Sequence, residues 1–322
     1  MTRSAGPVLA GVDLGGTNLR VGIVTRDGDL LAFVSERFDA AHGASAGMSR
    51  MAELIRNGLA SAGQPPLGAI GVGATGPLDP QAGRVRNPHT LPTWSDVDVR
   101  GPLHDLFHVP VVLENDAVAA ALGEWWQGAG RGSACLAMVT FGTGIGVAVV
   151  RREGPYRGAG QMHPEAGHQV LDPSGPLCYC GSRGCWEQLA AGPAIARMAT
   201  ASRDPALRSV DAAEVVRLSR TGNREARRIV RSAAHLAALG LVNVVAFYAP
   251  DTIVLGGGVM EAYRTRMPAM RSLLDRSLGY LPPRSVRLVL TQLGDRAGVL
   301  GAASVAMRAV GGHEMPDQPS SE

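Results

Sequence analysis

The chain opens with three short apolar stretches, VLAGVD (8–13), LRVGIVT (19–25) and LLAFVSERF (30–38), separated by the turn-rich pieces LGGTN and RDGD. Runs of this length bounded by glycine and aspartate read as strands, and turns this short make them an antiparallel meander. The period then changes. Met48, Met51, Ala52, Leu54, Ile55 and Leu59 recur every three or four residues, which predicts a helix over 45–61 with one buried face. A buried strand follows at 69–76 (AIGVGATG). Next come a proline- and turn-rich stretch at 77–98 that reads as loop, a short helix near 100–108, a strand at 110–115 (PVVLEN) and a small-residue helix from Asp116 to about Gln127.

Residues 134–152 repeat the opening pattern: VDLGGTNLRVGIV and VTFGTGIGVAVV are both strand, glycine turn, strand. The repeat implies two similar halves, each able to offer one glycine-lined turn to a common cleft. Beyond it, Ile229, Ala233, Leu236, Gly240, Val244 and Phe247 keep helical spacing, with Gly240 allowing close approach of a neighbour. DTIVLGGG (251–258) is a strand running into a glycine turn, followed by a helix over 260–278. A strand at 285–292, a terminal helix at 297–310 and a polar, disordered tail at 311–322 complete the reading.

At 322 residues the chain exceeds the size at which one core keeps growing, so two domains are expected. The charge of +3 is small, and the one basic cluster, Arg224, Arg227, Arg228 and Arg231, has the spacing of a solvated helix face rather than a nucleic-acid stripe. No signal peptide and no apolar run of about 20 residues is visible, so neither nucleic acid nor membrane is an expected partner and a cytoplasmic location is expected. All 31 basic residues are arginine. Without lysine there is no Schiff base and no P-loop lysine, so phosphate must be held by backbone N–H groups, hydroxyls, arginine or metal.

Four stretches can carry chemistry. In DLGGTNLR, Gly15 and Gly16 leave backbone N–H groups open to phosphate oxygens, Thr17 adds a hydroxyl and Asp13 a carboxylate suited to hydrated magnesium. FGTGIG (141–146) is the matching turn, with Gly142, Thr143 and Gly144, and GGG (256–258) is a third. Each also reads as an ordinary turn. In ENDAVAAALGEWW, Asp116 stands where a strand meets a helix, as a helix cap or as an acceptor of a hydroxyl proton, with Asn115 beside it.

The run EAGHQVLDPSGPLCYCGSRGCWE (165–187) holds three of the four cysteines. Cys178-x-Cys180 is too tight for an easy disulfide. With His168 and Cys185 the pair supplies the nitrogen and sulfur ligands of tetrahedral zinc, and Gly181 and Gly184 let the loop bend around it. A closed four-ligand site leaves no position for substrate, so the zinc is a structural brace and the chemistry falls to Glu165 and Glu187 at its flanks.

The CxCGxxGCxE run, with ExGH ahead of it and DLGGT near the start, resembles the ROK family, and within it the bacterial glucokinases, over about residues 8–310. That resemblance implies an α/β, actin-like (ribonuclease H-like), two-domain sugar kinase fold with a zinc-binding loop. It also implies ATP and Mg2+ as cosubstrates and transfer of phosphate to a hexose, glucose to glucose 6-phosphate. It makes Asp116 the catalytic base. Asn115, Glu165, His168, Glu187 and Gly76 become the sugar-binding set, His168 also ligating zinc. Asp13, Gly15, Gly16, Thr17, Gly142, Thr143, Gly144 and Gly257 fall on the nucleotide side. The expected domains are a smaller one at 1–115, completed by helix 297–310, and a larger one at 116–296 with the zinc loop at 165–187. A homodimer is expected.

Three positions depart from the glucokinase pattern. HPEAGH, with His163 and Pro164, resembles the fructokinase branch; NPHTLPTW leaves His89 or Thr90 in place of a sugar-contacting asparagine; and Val118 replaces an asparagine. The alternatives they keep open are fructose, mannose or an N-acetylhexosamine as acceptor, and polyphosphate beside ATP as donor. Of another class is a non-catalytic sugar-binding or regulatory protein. The family's repressors carry a helix-turn-helix segment ahead of the DxGGT turn, and the twelve residues before Asp13 favour an enzyme.

Overall fold

The computed structural model describes residues 6–88 and 91–311, so the tail expected from 311 lies, after Gly311, outside the described residues. Strands β1 (Val8–Leu14), β2 (Asn18–Val24) and β3 (Leu30–Arg37) form the expected meander. Helix α1 (Ala44–Ser61) buries Met51, Ala52, Leu54, Ile55 and Leu59 against it. The chain then returns as β4 (Leu67–Ala74), parallel to β1. Residues 77–98, read as loop from the sequence, instead contain a small antiparallel sheet of β5 (Leu78–Asp79), β6 (Arg84–Asn87) and β7 (Trp94–Asp98). Strands this short show no alternation along the sequence. Tertiary contacts hold them: Trp94 is fully buried, and Arg84 donates to Asp96 across the β6–β7 pair at 2.8 Å. After α2 (Arg100–Phe107), β8 (Val111–Asn115) lies parallel to β4 and runs directly into α3 (Asp116–Gln127). The sheet order is β3–β2–β1–β4–β8.

The same order recurs. β9 (Cys135–Phe141), β10 (Ile145–Arg151) and β11 (Gly154–Pro155) precede four helices: α4 (Trp186–Ala190), α5 (Gly192–Thr200), α6 (Ala212–Arg220) and α7 (Arg224–Tyr248). β12 (Thr252–Gly256), α8 (Met260–Tyr263), α9 (Met267–Ser277), β13 (Arg287–Leu290) and α10 (Ala297–Gly311) complete the chain. The second sheet runs β11–β10–β9–β12–β13, with β12 parallel to β9 and to β13. The helix expected over 260–278 is interrupted at Arg264–Arg266, because Pro268 starts a new helix at its first turn. α7 is long and apolar enough by composition to cross a membrane, but 56% of that stretch is buried. It packs against α4, α6 and α9. Its buried stripe follows Ile229, Ala233, Ala237, Leu241 and Val244, and Phe247, placed on that face by spacing, is 70% exposed. The neighbour that Gly240 admits is the Trp186 ring, which a Cβ there would overlap.

Contacts divide the chain into two units: Met1–Ser133 with Val150–Pro155 and Gln292–Glu322, and Ala134–Val149 with Tyr156–Thr291. The sequence suggests a division between Asn115 and Asp116; α3 nonetheless stays with the first unit, because it packs along α10 backbone to backbone. A Cβ on Gly301 of α10 would overlap the carbonyl oxygen of Ala119 in α3. Helix propensity alone favours alanine over glycine by ~1 kcal/mol. Gly301→Ala should instead destabilise by about 3 kcal/mol, the upper end for overpacking against groups that cannot move aside. A fall in the urea midpoint checks this, and a rise would show the two helices free to separate.

Candidate active site

The parallel strands of the first unit end level with one another. Leu14 of β1 pairs with Ala74 of β4, and Ala74 with Asn115 of β8. Asp13, Thr75, Gly76, Asn115 and Asp116 therefore gather at the carboxyl ends of the strands, where open α/β sheets bind ligands. Asn115 is the N-cap of α3: its Oδ1 accepts from the N–H groups of Ala117 at 2.9 Å and Val118 at 3.1 Å. Asp116 is thus relieved of the capping role that its position also suggested. As the first helical residue it accepts the Ala117 N–H on Oδ1 and the Thr75 hydroxyl on Oδ2, each at 2.8 Å. A carboxylate on the first turn also suits the helix dipole.

Asp13 lies opposite Arg20 in the β1–β2 pair, and Arg20 donates Nη1 to Asp13 Oδ2 at 2.9 Å and Nη2 to Asp295 Oδ1 at 3.2 Å. The start of α10 closes over it, so that a Cβ on Gly298 would lie 2.9 Å from the Asp13 carboxyl carbon. Burial pushes this carboxyl up to about 6 against the opposing pull of Arg20, with the charges of Asp116 and Asp295 adding to the rise. In the turn itself Gly15 N–H donates to the Asn18 carbonyl at 3.0 Å, Gly16 is half-buried, and the exposed Thr17 accepts from Asn18 Nδ2 at 3.0 Å.

In the second unit, β9 ends in the turn 142–144, where Gly142 N–H donates to the Gly144 carbonyl at 2.9 Å and Thr143 is exposed at the tip. Gly257, at φ 90°, passes so near the Phe141 backbone that no side chain fits there, and Val259 N–H donates to the Phe141 carbonyl at 2.9 Å. These two turns are neighbours. Glu187, on the first turn of α4, reaches the first of them: a Cβ on Gly144 would lie 2.8 Å from its Oε2.

His168 and the cysteines 178, 180 and 185 offer ligand atoms that all lie within 4.8 Å of one another. Cys178 Sγ is 3.5 Å from His168 Nδ1, and Cys180 Sγ is 3.5 Å from Cys185 Sγ. Such edges suit one tetrahedral cation with bonds of about 2.0–2.3 Å. Burial raises the Cys178 thiol and pushes Cys185 up to about 12, so without a cation both keep their protons. Glu187 Oε1 lies 3.4 Å from Cys178 Sγ and 3.8 Å from His168 Nδ1, which ties this carboxylate to the cluster. Glu165 is more open at 54% exposure, with Oε1 3.4 Å from His163 Nε2. Cys135 stands apart in β9, its thiol 3.7 Å from the Tyr248 carbonyl.

Three participants carry no role in the sequence reading. Arg20 lies within the DLGGTNLR stretch, and the register of a short hairpin signals that it faces Asp13. Tyr179, between two cysteines, places its hydroxyl 3.0 Å from His168 Nε2, the nitrogen turned away from the cluster. Thr75 has no local signal, because its partner Asp116 is distant in sequence. His89 and Thr90 lie outside the described residues. Two residues earlier, the buried Asn87 donates Nδ2 to the carbonyls of Thr75 at 3.1 Å and Gly76 at 2.7 Å.

The model of the ROK family matches residues 9–309. A glucokinase of Thermotoga maritima is 33% identical over 94% of this chain and 98% of its own length. A xylose repressor of Bacillus subtilis is 28% identical over 79% of this chain and 65% of its own. Among solved structures, a ROK hexokinase from Thermus thermophilus superposes with a TM-score of 0.84 at 36% identity, covering 94% of this chain and 99% of that one. A ROK family glucokinase from Streptomyces griseus, solved with glucose and AMPPNP, gives 0.74 at 29% identity, with 94% and 99% covered. The chain belongs to the ROK family and has the actin-like fold of its sugar kinases.

Proposed function

We propose that the protein is an ATP-dependent hexokinase with glucose as its preferred acceptor and Asp116 as its general base. The observation that carries this reading is the state of Asp116. It stands at the carboxyl ends of the parallel strands, Asn115 does the capping beside it, and its carboxylate keeps lone pairs for a hydroxyl proton. The sugar hydroxyl attacks the γ-phosphorus while the bond to the ADP oxygen breaks, and the hydroxyl proton passes to Asp116. The candidate sugar contacts are Glu187, Glu165 and His168 within the second unit, and Asn115 and Gly76 within the first. Carboxylates suit sugars because each accepts two hydroxyl bonds, and a site built so rejects analogues that leave those acceptors unpaired.

Each unit offers a glycine turn as a candidate nucleotide contact: in the first, Gly15 N–H is taken by the Asn18 carbonyl, leaving Gly16 and Thr17 for phosphate, and in the second, Gly142 N–H is taken by the Gly144 carbonyl, leaving Thr143, Gly144 and Gly257. Asp13 and the Thr17 hydroxyl are the oxygen donors that hydrated Mg2+ takes, and the ion when bound neutralises charge on the transferring phosphates. The cluster of His168, Cys178, Cys180 and Cys185 fits structural Zn2+, which when bound braces the loop from Glu165 to Glu187. The expected homodimer remains part of this proposal.

In competition assays, kcat/KM for glucose should exceed that for fructose and N-acetylmannosamine by at least about tenfold, the scale of one lost hydroxyl contact. A rival sugar phosphorylated faster would overturn glucose and leave the kinase standing. Asp116→Asn should lower kcat at least ~10²-fold with sugar binding still measurable. Nearly unchanged turnover would remove Asp116 as base.

Metal analysis of the purified protein should return about one zinc per chain. Cys185→Ser should lose most of it and lower the melting temperature. Absence of zinc, with the three cysteines freely titratable in the native state, would refute the brace.

Asp13 sets a pH dependence whose sign follows from its raised carboxyl. Between about pH 4 and about 6 the unfolded chain has released this proton while the folded protein still holds it. The contribution of Asp13 to stability is therefore lost as pH rises through that window, by up to ~3 kcal/mol. Urea midpoints measured from pH 4 to 7 should fall less steeply for Asp13→Asn than for the wild type. Parallel curves would mean that the Asp13 carboxyl is not held up.

A further inference from the structure

We propose that Thr75 is a positioning residue for phosphoryl transfer, its hydroxyl fixing the plane of the Asp116 carboxylate. The inference rests on the reading of Asp116 as base and assigns a role to a residue outside the set proposed above. The carboxylate torsion of an aspartate is soft and takes a broad range of angles. Here each oxygen has a donor, Ala117 N–H on Oδ1, shared with Asn115 Oδ1, and Thr75 Oγ1 on Oδ2, both at 2.8 Å. Two donors in different directions define the carboxylate plane, and each oxygen keeps a second lone pair for the substrate. With the Ala117 bond alone, the group could turn about that contact.

Thr75 is itself held at several points. It follows the last residue of β4, and its N–H reaches the Leu14 carbonyl at 3.4 Å. Its carbonyl and that of Gly76 share the Nδ2 donor of Asn87, which is 1% exposed on β6. The branched side chain is stiff at χ1. A hydroxyl has one proton, so when Thr75 gives it to Asp116 it can meet a substrate only as an acceptor. The small sheet β5–β6–β7 thereby acquires a purpose beyond packing: through Asn87 and Thr75 it connects to the carboxylate on α3.

The test compares Thr75→Val and Thr75→Ser, each alone and with Asp116→Asn. Loss of the hydroxyl should lower kcat about tenfold or more while KM for the sugar stays within about threefold, since alignment is lost and binding is kept. Serine, which keeps the hydroxyl, should stay within about threefold of wild type in kcat. In the Asp116→Asn background, valine should change turnover by less than about twofold, because a residue acting only through Asp116 has nothing left to position. Should Thr75→Val fail to fold, Thr75→Ala set against Thr75→Ser makes the same comparison. Wild-type kcat in valine, a serine variant no better than valine, or an equal further loss in the Asp116→Asn background would each overturn the inference while Asp116 remains the base. Undiminished turnover in Asp116→Asn alone would overturn the base, and this inference with it.

Discussion

A backbone-to-backbone contact organises the first unit. The last helix, α10, lies on β1, β4 and α3 so closely that side chains on Gly11, Gly71, Gly123 or Gly301 would overlap carbonyl groups across the contact. Such proximity requires small residues on both partners, which accounts for the composition of AGVLGAASVAMRAV and of the first turns of α3. Its effect reaches the chemistry. Because α10 sits this low, its first turn closes over Asp13, and the enclosure is what raises that carboxyl. A packing requirement near the end of the chain thus sets the charge of a group near its beginning.

The repeat puts one topology to two uses. Both sheets have the same strand order, and in both the candidate site residues stand where strands end. In the first unit those ends carry Asp13, Thr75 and the Asn115–Asp116 pair. In the second, the corresponding ends of β9 and β12 carry Gly142, Gly144 and Gly257, where bare backbone replaces side chains. Carboxylates accept protons and hydroxyl bonds, and a backbone without side chains admits a ligand to close approach. The two halves therefore differ in chemistry through a few residues at strand ends while the scaffold is shared.

Most of this was legible from local signals. Strand–turn–strand repeats, the helix at 45–61 and the cysteine spacing are periodicities or short motifs, and the structure places them as read. The small sheet at 78–98 was not, because strands of two to five residues owe their pairing to Trp94 and Arg84 rather than to any period. Spacing carries the α7 stripe on through Phe247, because spacing alone does not say where a face ends. The sequence suggests a division ahead of α3 because nothing in the residues around 116–127 announces that their partner is α10. Thr75 and Asn87 fall in the same class: each acts through a hydrogen bond to a residue distant in sequence, and a single sequence carries no sign of it.

The absence of lysine bears on how charge is arranged around Asp13. Arginine keeps its proton at any ordinary pH and presents donors in a fixed planar fork, so a guanidinium can hold two carboxylates at set angles where an ammonium would act as a point charge. Arg20 does this with Asp13 and Asp295. One fixed cation between two carboxylates leaves the trio at a net charge of about −1 when both are ionised, and neutral when Asp13 takes a proton. Burial raises Asp13 to about 6, so within this trio its charge is the one most responsive to pH below neutrality. A divalent cation held by Asp13 would favour the ionised state, and its binding would be coupled to release of that proton.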